Sequence, residues 1–366
     1  MSKDRKLIFQ IASVYIGTVV GAGFASGQEM VQFFTVYGVS GMYGLVLTGL
    51  IFSLIGWAVL DRVYKYQIKD YQEMIRPMLG NTVTIVMEGI VALFLMISFC
   101  AMLAGTGALL NQRFQIPSYA GTLGMAFICF FTFLYDVQGM VVINVILVPV
   151  LFLGGILLAL YILIFRDITV FAGIGESFRL IRYHWFSSSL LYIGYNSITA
   201  IVVLTTLQPY LAHRKIAKKG GIYGGMGLGI LGLSLGLVTM IYRGKIEFFE
   251  IPLLEIVINY SPWIHWIYFF VILAAMYTTA VSTGYGFANR MSTILSLNPY
   301  VSVVLTVATG LLTAQIGFSN IVQKIYPLFG YIGLFEVLVI LLYFAKDKRQ
   351  EMGSKTTTRT LKKARK

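Results

Sequence analysis

Residues 7–34 form an apolar run longer than the about 20 residues that an uninterrupted membrane helix needs, and its middle is built from residues that weaken a helix. Gly17, Gly21, Ala22, Gly23, Ala25, Ser26 and Gly27 cluster there, with three glycines and a serine in the seven positions 21–27. Glycine gives up more backbone entropy on becoming helical than any other residue. Unwound backbone at membrane depth is tolerated only where it lines a cavity or is buried in protein. Two readings follow. Either the helix breaks and two half-helices meet at a binding site, or an intact helix uses a small-residue face to pack closely on a neighbour. A second, matching interruption elsewhere would decide for the break.

Of the 366 residues only 12% are charged and 58% are hydrophobic, with mean hydropathy +0.80. Soluble domains run near 25% charged, so this composition with repeated long apolar runs describes a polytopic membrane protein. The basic start followed by an apolar run imitates a secretory signal, but the run is too long and more follow it. It reads as a first span. Further runs lie at 41–60, 82–110, 119–135, 141–165, 185–207, 220–242, 263–287, 300–318 and 321–344, about ten spans in all. The mixed segment 166–183 reads as a short surface helix outside the membrane. Cys100 and Cys129 fall inside apolar runs and read as small core residues, with no disulfide framework.

The net charge of +13 raises the question of nucleic acid, and its distribution answers it. Lys and Arg gather in the N-terminus, 61–80, 208–220 and the tail 345–366, while the alternate loops hold fewer. That bias places both termini in the cytoplasm and makes the excess topological. The basic tail reads as disordered, with a weak attraction to anionic membrane lipid. Nucleic-acid binding is excluded as a main function.

Ten spans in one domain, 1–344, divide into 7–165 and 185–344. Five per half gives the halves opposite orientation, the inverted repeat of many secondary transporters. Span six should then be interrupted where span one is. Gly194, Asn196 and Ser197 cluster at its middle, and Asn and Ser compete for backbone hydrogen bonds. The matched pair points to a transporter, an all-α 5+5 fold with helices 1 and 6 discontinuous.

Gly17-Thr-Val-Val-Gly-Ala-Gly23 resembles the first-helix motif of the LeuT-like, amino acid–polyamine–organocation superfamily, and Ile193-Gly-Tyr-Asn-Ser197 resembles its sixth-helix break. The chain as a whole, and Val20-Gly-Ala-Gly-Phe-Ala-Ser-Gly-Gln-Glu29 above all, is similar to the uncharacterised bacterial YkvI-like membrane proteins. The resemblance implies a cation-coupled transporter of a small amino-acid-like solute. N–H groups over Gly21, Ala22, Gly23, Phe24, Ala25, Ser26 and Gly27 would suit a carboxylate, with Gly194, Tyr195, Asn196 and Ser197 as the opposite wall. Tyr195 is either an aromatic lid or ordinary packing. The resemblance also implies a sodium site from the carbonyls of Gly17, Val20 and Ala275 and the hydroxyls of Thr278 and Thr279, oxygen donors that suit a hard cation. Threonines in membrane helices also bond back to their own helix. No other cofactor is implied; the coupling ion is sodium or a proton.

Acids within spans default to functional hypotheses. Glu88 and Glu336 are each a protonatable relay or a structural carboxylate bonded to its neighbours. Glu29 either faces water or pairs with Lys324 as an outer gate. The rival function is a ligand-sensing receptor subunit on a transporter scaffold, without translocation. An enzyme lacks support, because His184, His213 and His265 sit at span ends or in a loop and no nucleophile–base spacing appears. No residue pattern specifies an oligomeric state.

Overall fold

The computed structural model describes residues 3–134, 140–165, 184–246, 249–258 and 262–364. The described residues are all-α. The first apolar run folds as three pieces, α1 (Lys3–Val19), α2 (Ala22–Ser26) and α3 (Gln28–Phe33). Then come α4 (Val39–Tyr66), α5 (Tyr71–Phe114), α6 (Ser118–Leu134) and α7 (Met140–Phe165). The second half holds α8 (Trp185–Thr205), α9 (Arg214–Ile241), α10 (Pro262–Leu295), α11 (Pro299–Thr313) and α12 (Tyr326–Ala364). Among the described residues seven helices are long and apolar enough to cross a membrane, and α6 and residues 148–162 are shorter apolar helices. The surface helix expected at 166–183 lies outside the described residues.

The helices fall into two packed groups. In one, α1 lies against α8 and α9, α8 against α4, and α4 packs on α9. In the other, α5, α6, α10 and α11 pack on one another. Glycine sets the closest approach. Gly221, Gly225 and Gly229, four residues apart, form a flat stripe on α9 against Gly49, Ser53 and Gly56 of α4. A Cβ on Gly49 would come within 2.7 Å of the Gly229 Cα, so backbone meets backbone. Such small-residue seams are how membrane helices gain contact where lipid offers no hydrophobic drive. The Tyr15 hydroxyl crosses from α1 to donate to Phe52 O at 2.9 Å.

The segment 61–80 is largely helical: Asp70 caps α5 by accepting from Glu73 N at 2.8 Å, and Gly80 (φ +79°) kinks the helix before its apolar part begins. One feature differs from expectation. The tail expected to be disordered continues α12 to Ala364. Its first turns are held by ions: Asp61 of α4 binds Arg214 through both oxygens (2.6 and 2.7 Å) and Lys348 (2.8 Å), Arg62 pairs with Asp347, and Arg214 reaches Glu351 at 2.8 Å. This network ties α4, α9 and α12 at one end of the molecule. Cys100 and Cys129 are buried free thiols.

Candidate functional site

The break in the first apolar run is local chemistry. Gly21 is extended (φ −94°, ψ −166°), and its N–H turns to Val19 O at 2.9 Å instead of to Gly17 O four residues back. Helical bonding resumes with Ala25 N donating to Gly21 O at 2.9 Å. It stops again at Gly27, whose φ of +82° is left-handed and natural for glycine alone. Ser26 stitches that second corner, donating to Gly23 O at 3.2 Å and accepting from Gln28 N at 3.3 Å. Of the N–H groups proposed for a carboxylate, those of Gly21, Ala25 and Gly27 are thus occupied by the chain itself. Ala22, Gly23 and Phe24, in the first turn of α2, have no donor role inside that helix.

Around the break stand α10 and the short helix Pro252–Ile258. The Tyr268 hydroxyl donates to Ala25 O at 2.8 Å. Thr279 abuts Gly21, where an added Cβ would lie 3.5 Å from the threonine methyl and 3.7 Å from its hydroxyl. Thr278 bonds back to Ala274 O and Ala275 O, both at 3.1 Å. One of the two threonines therefore faces the break and the other serves its own helix. Among the described residues no group of three or more His, Cys, Asp or Glu side chains gathers.

The second interruption is absent. Helix α8 runs unbroken from Trp185 to Thr205. Asn196 Nδ2 donates to Tyr192 O at 3.1 Å and the Ser197 hydroxyl to Ile193 O at 2.6 Å, so both polar side chains serve the helix they were expected to unwind. Gly194 is a packing glycine: a Cβ there would run into Gly330 O of α12, and one on Gly333 into Gly194 O. Close approach, the alternative weighed for the first run, is what glycine does in α8.

Glu29 is likewise not where expected. It is neither solvated nor paired with Lys324, which is exposed. Glu29 is 4% exposed, and no ion pair to it occurs among the described residues. Its carboxyl folds over Gly23, filling the space a side chain there would need. Its polar neighbours are the Tyr192 and Tyr195 hydroxyls of α8. The reason is reach: the outward turn after α3 comes at Phe34, which leaves Glu29 on the face of α3 that packs on α8. Tyr195 thus packs on Phe33 of α3 and Tyr326 of α12, while the Gly194 backbone meets that of α12. Sequence reasoning did not find Tyr192, Phe33 or Tyr326 beside this carboxyl, since nothing local marks them among many aromatic residues.

The other two acids differ from each other. Glu88 is half-buried and accepts from Gln72 Nε2 at 2.6 Å. Glu336 is fully buried with neither oxygen hydrogen-bonded, beside the Tyr71 hydroxyl.

No family model matches the chain. It is 28% identical over 95% of its length, and 99% of the relative's, to the uncharacterized membrane protein YkvI of Bacillus subtilis (strain 168). It is 25% identical over 90% of its length, and 94% of the relative's, to the uncharacterized protein YyaD of the same organism. Among solved structures it is similar to the nucleobase-cation-symport-1 family transporter Mhp1 (TM-score 0.63, 16% identity, 88% of this chain and 74% of that one). It is also similar to the Eremococcus coleocola manganese transporter (0.60, 14%, 93% and 80%). A Na+-coupled sialic acid symporter matches at 0.58, with 12% identity over 89% and 75%. The chain is thus a homologue of the YkvI and YyaD membrane proteins and has the LeuT-like fold of these transporters.

Proposed function

We propose that the protein is a cation-coupled secondary transporter of a small amino-acid-like solute, working by alternating access in the bacterial inner membrane with both termini cytoplasmic. The observation that carries the reading is the break at Gly21 set against Thr279. It takes backbone carbonyls out of helical bonding beside a hydroxyl from a helix of the other half. Such a set of oxygens suits sodium, with Gly17, Val20 and Ala275 giving carbonyls and Thr279 its hydroxyl; Thr278 can join by rotating from its own helix. The solute lies against α2 and the Tyr195 face of α8 in this reading.

Helix contacts support an inverted repeat of five and five. Pairing α1 with α8, α4 with α9, α5 with α10, α6 with α11 and α7 with α12 maps one half on the other. The contact of α1 with α9 then has its counterpart in α8 with α4, and α1 with α7 in α8 with α12. The contact of α5 with α6 answers to α10 with α11, and that of α7 with α9 to α12 with α4. With the first run and the two shorter helices counted as spans, the total is ten.

The test is uptake. Purified protein in liposomes is given radiolabelled amino acids under an imposed sodium or proton gradient. Gradient-driven accumulation is expected, with the sodium component lost in Thr279→Val. Accumulation driven by protons alone would remove the sodium site. Saturable binding with no accumulation under either gradient would leave a receptor in place of a transporter.

A further inference from the structure

Three polar atoms meet in one buried place, near one another but none in a well-formed hydrogen bond: Glu29 Oε2 and the hydroxyls of Tyr192 and Tyr195. Glu29 is 4%, Tyr192 1% and Tyr195 2% exposed. A carboxylate stripped of water and of any cation costs several kcal/mol, and each buried polar group left unmade adds about 1–3 kcal/mol. Native interiors keep such groups where something else completes them. The surroundings restrict what that is. Phe33, one helical turn beyond Glu29, packs 5.5 Å from both tyrosine rings. The two tyrosines stand edge to face at 5.5 Å, and Tyr326 of α12 lies 4.8 Å from Tyr195.

An anion would be repelled by the carboxylate, and a neutral polyol would satisfy hydroxyls while leaving the charge uncompensated. An ammonium group supplies the charge and three N–H donors, and aromatic faces attract it as well. We propose that the Glu29 carboxyl, in its shell of Phe33, Tyr192, Tyr195 and Tyr326, recognises the ammonium group of the solute. Because the carboxyl folds onto Gly23, this places the ammonium beside α2, with the rest of the solute directed toward the break at Gly21. The site accepts amines and amino acids and rejects solutes that are only acidic. It rests on the transporter reading only in calling the ligand a solute.

The test uses the full-length protein in lipid nanodiscs at fixed pH and sodium. Its melting temperature is followed against methylammonium, ethanolamine, putrescine and L-lysine, with acetate and glycerol as controls. A saturable rise with at least one amine, and none with the controls, is expected. Glu29→Gln should raise the half-saturating concentration roughly 10- to 100-fold, the worth of a hydrogen bond to a charged group. Phe33→Leu, which leaves the carboxyl in place, should raise it roughly threefold through loss of a ring face. Should Glu29→Gln fail to fold, Glu29→Asp and Phe33→Leu still carry the comparison. The proposal is overturned if no amine stabilises the wild type or if the amine response survives in Glu29→Gln. A Glu29-dependent shift produced only by sodium or by acidification would overturn it too, making this an ion site. Glu29-dependent amine binding without uptake into liposomes would leave the site standing and remove transport. Uptake untouched by Glu29→Gln would do the reverse.

Discussion

The stretch 20–28 and the middle of α8 share a vocabulary of glycine, serine and short polar side chains, yet one breaks and the other does not. The difference lies in what each polar group finds. In α8, Asn196 and Ser197 reach carbonyls four residues back in their own helix, and the single glycine is needed by a neighbour. In the first run, glycines occupy the two corners, one extended and one left-handed, and Ser26 bonds across the second corner instead of up a helix. Composition alone does not unwind a helix. Glycine at a corner with a serine to close it does.

The largest effect should come from Gly194→Ala. The new methyl meets backbone atoms of Gly330 and Leu334, which cannot rotate aside, so overpacking should cost about 3 kcal/mol in unfolding by SDS titration in mixed micelles. A near-neutral result would return Gly194 to a role in binding. Gly27→Ala comes next, at about 1–2 kcal/mol for holding a side chain in left-handed backbone. Ser26→Ala should cost about 1 kcal/mol through two lost hydrogen bonds at the corner. Ser197→Ala should change stability by less than about 0.5 kcal/mol, because a hydroxyl bonded back to its own helix contributes little. Equal losses for the two serines would erase the distinction between corner and helix.

What the sequence made legible is what short segments decide. Run lengths disclosed the helices, and the glycines disclosed the first break, because extended and left-handed corners are properties of one residue and its neighbours. Burial of Glu29 was illegible: its neighbours Tyr192 and Tyr195 lie far along the chain, and outer-half position alone suggests solvation. The ionic end was hidden for the same reason. Asp61 and Arg62 end an apolar run as any polar pair might, and their partners Arg214, Asp347 and Lys348 come from α9 and from a tail that looks too charged to order. The break expected at 194–197 failed on a subtler point, since asparagine and serine disrupt or serve a helix according to which carbonyl lies in reach.

If sodium binds at the broken run as proposed, that run and not α8 should respond to it. Amide hydrogen exchange on the protein in nanodiscs, with and without sodium, tests it most directly. Amides of residues 20–28 should exchange faster than those of residues 190–200 and slow when sodium is added, while α8 stays unchanged. Equal protection of the two stretches, or a sodium response confined to α8, would contradict the account.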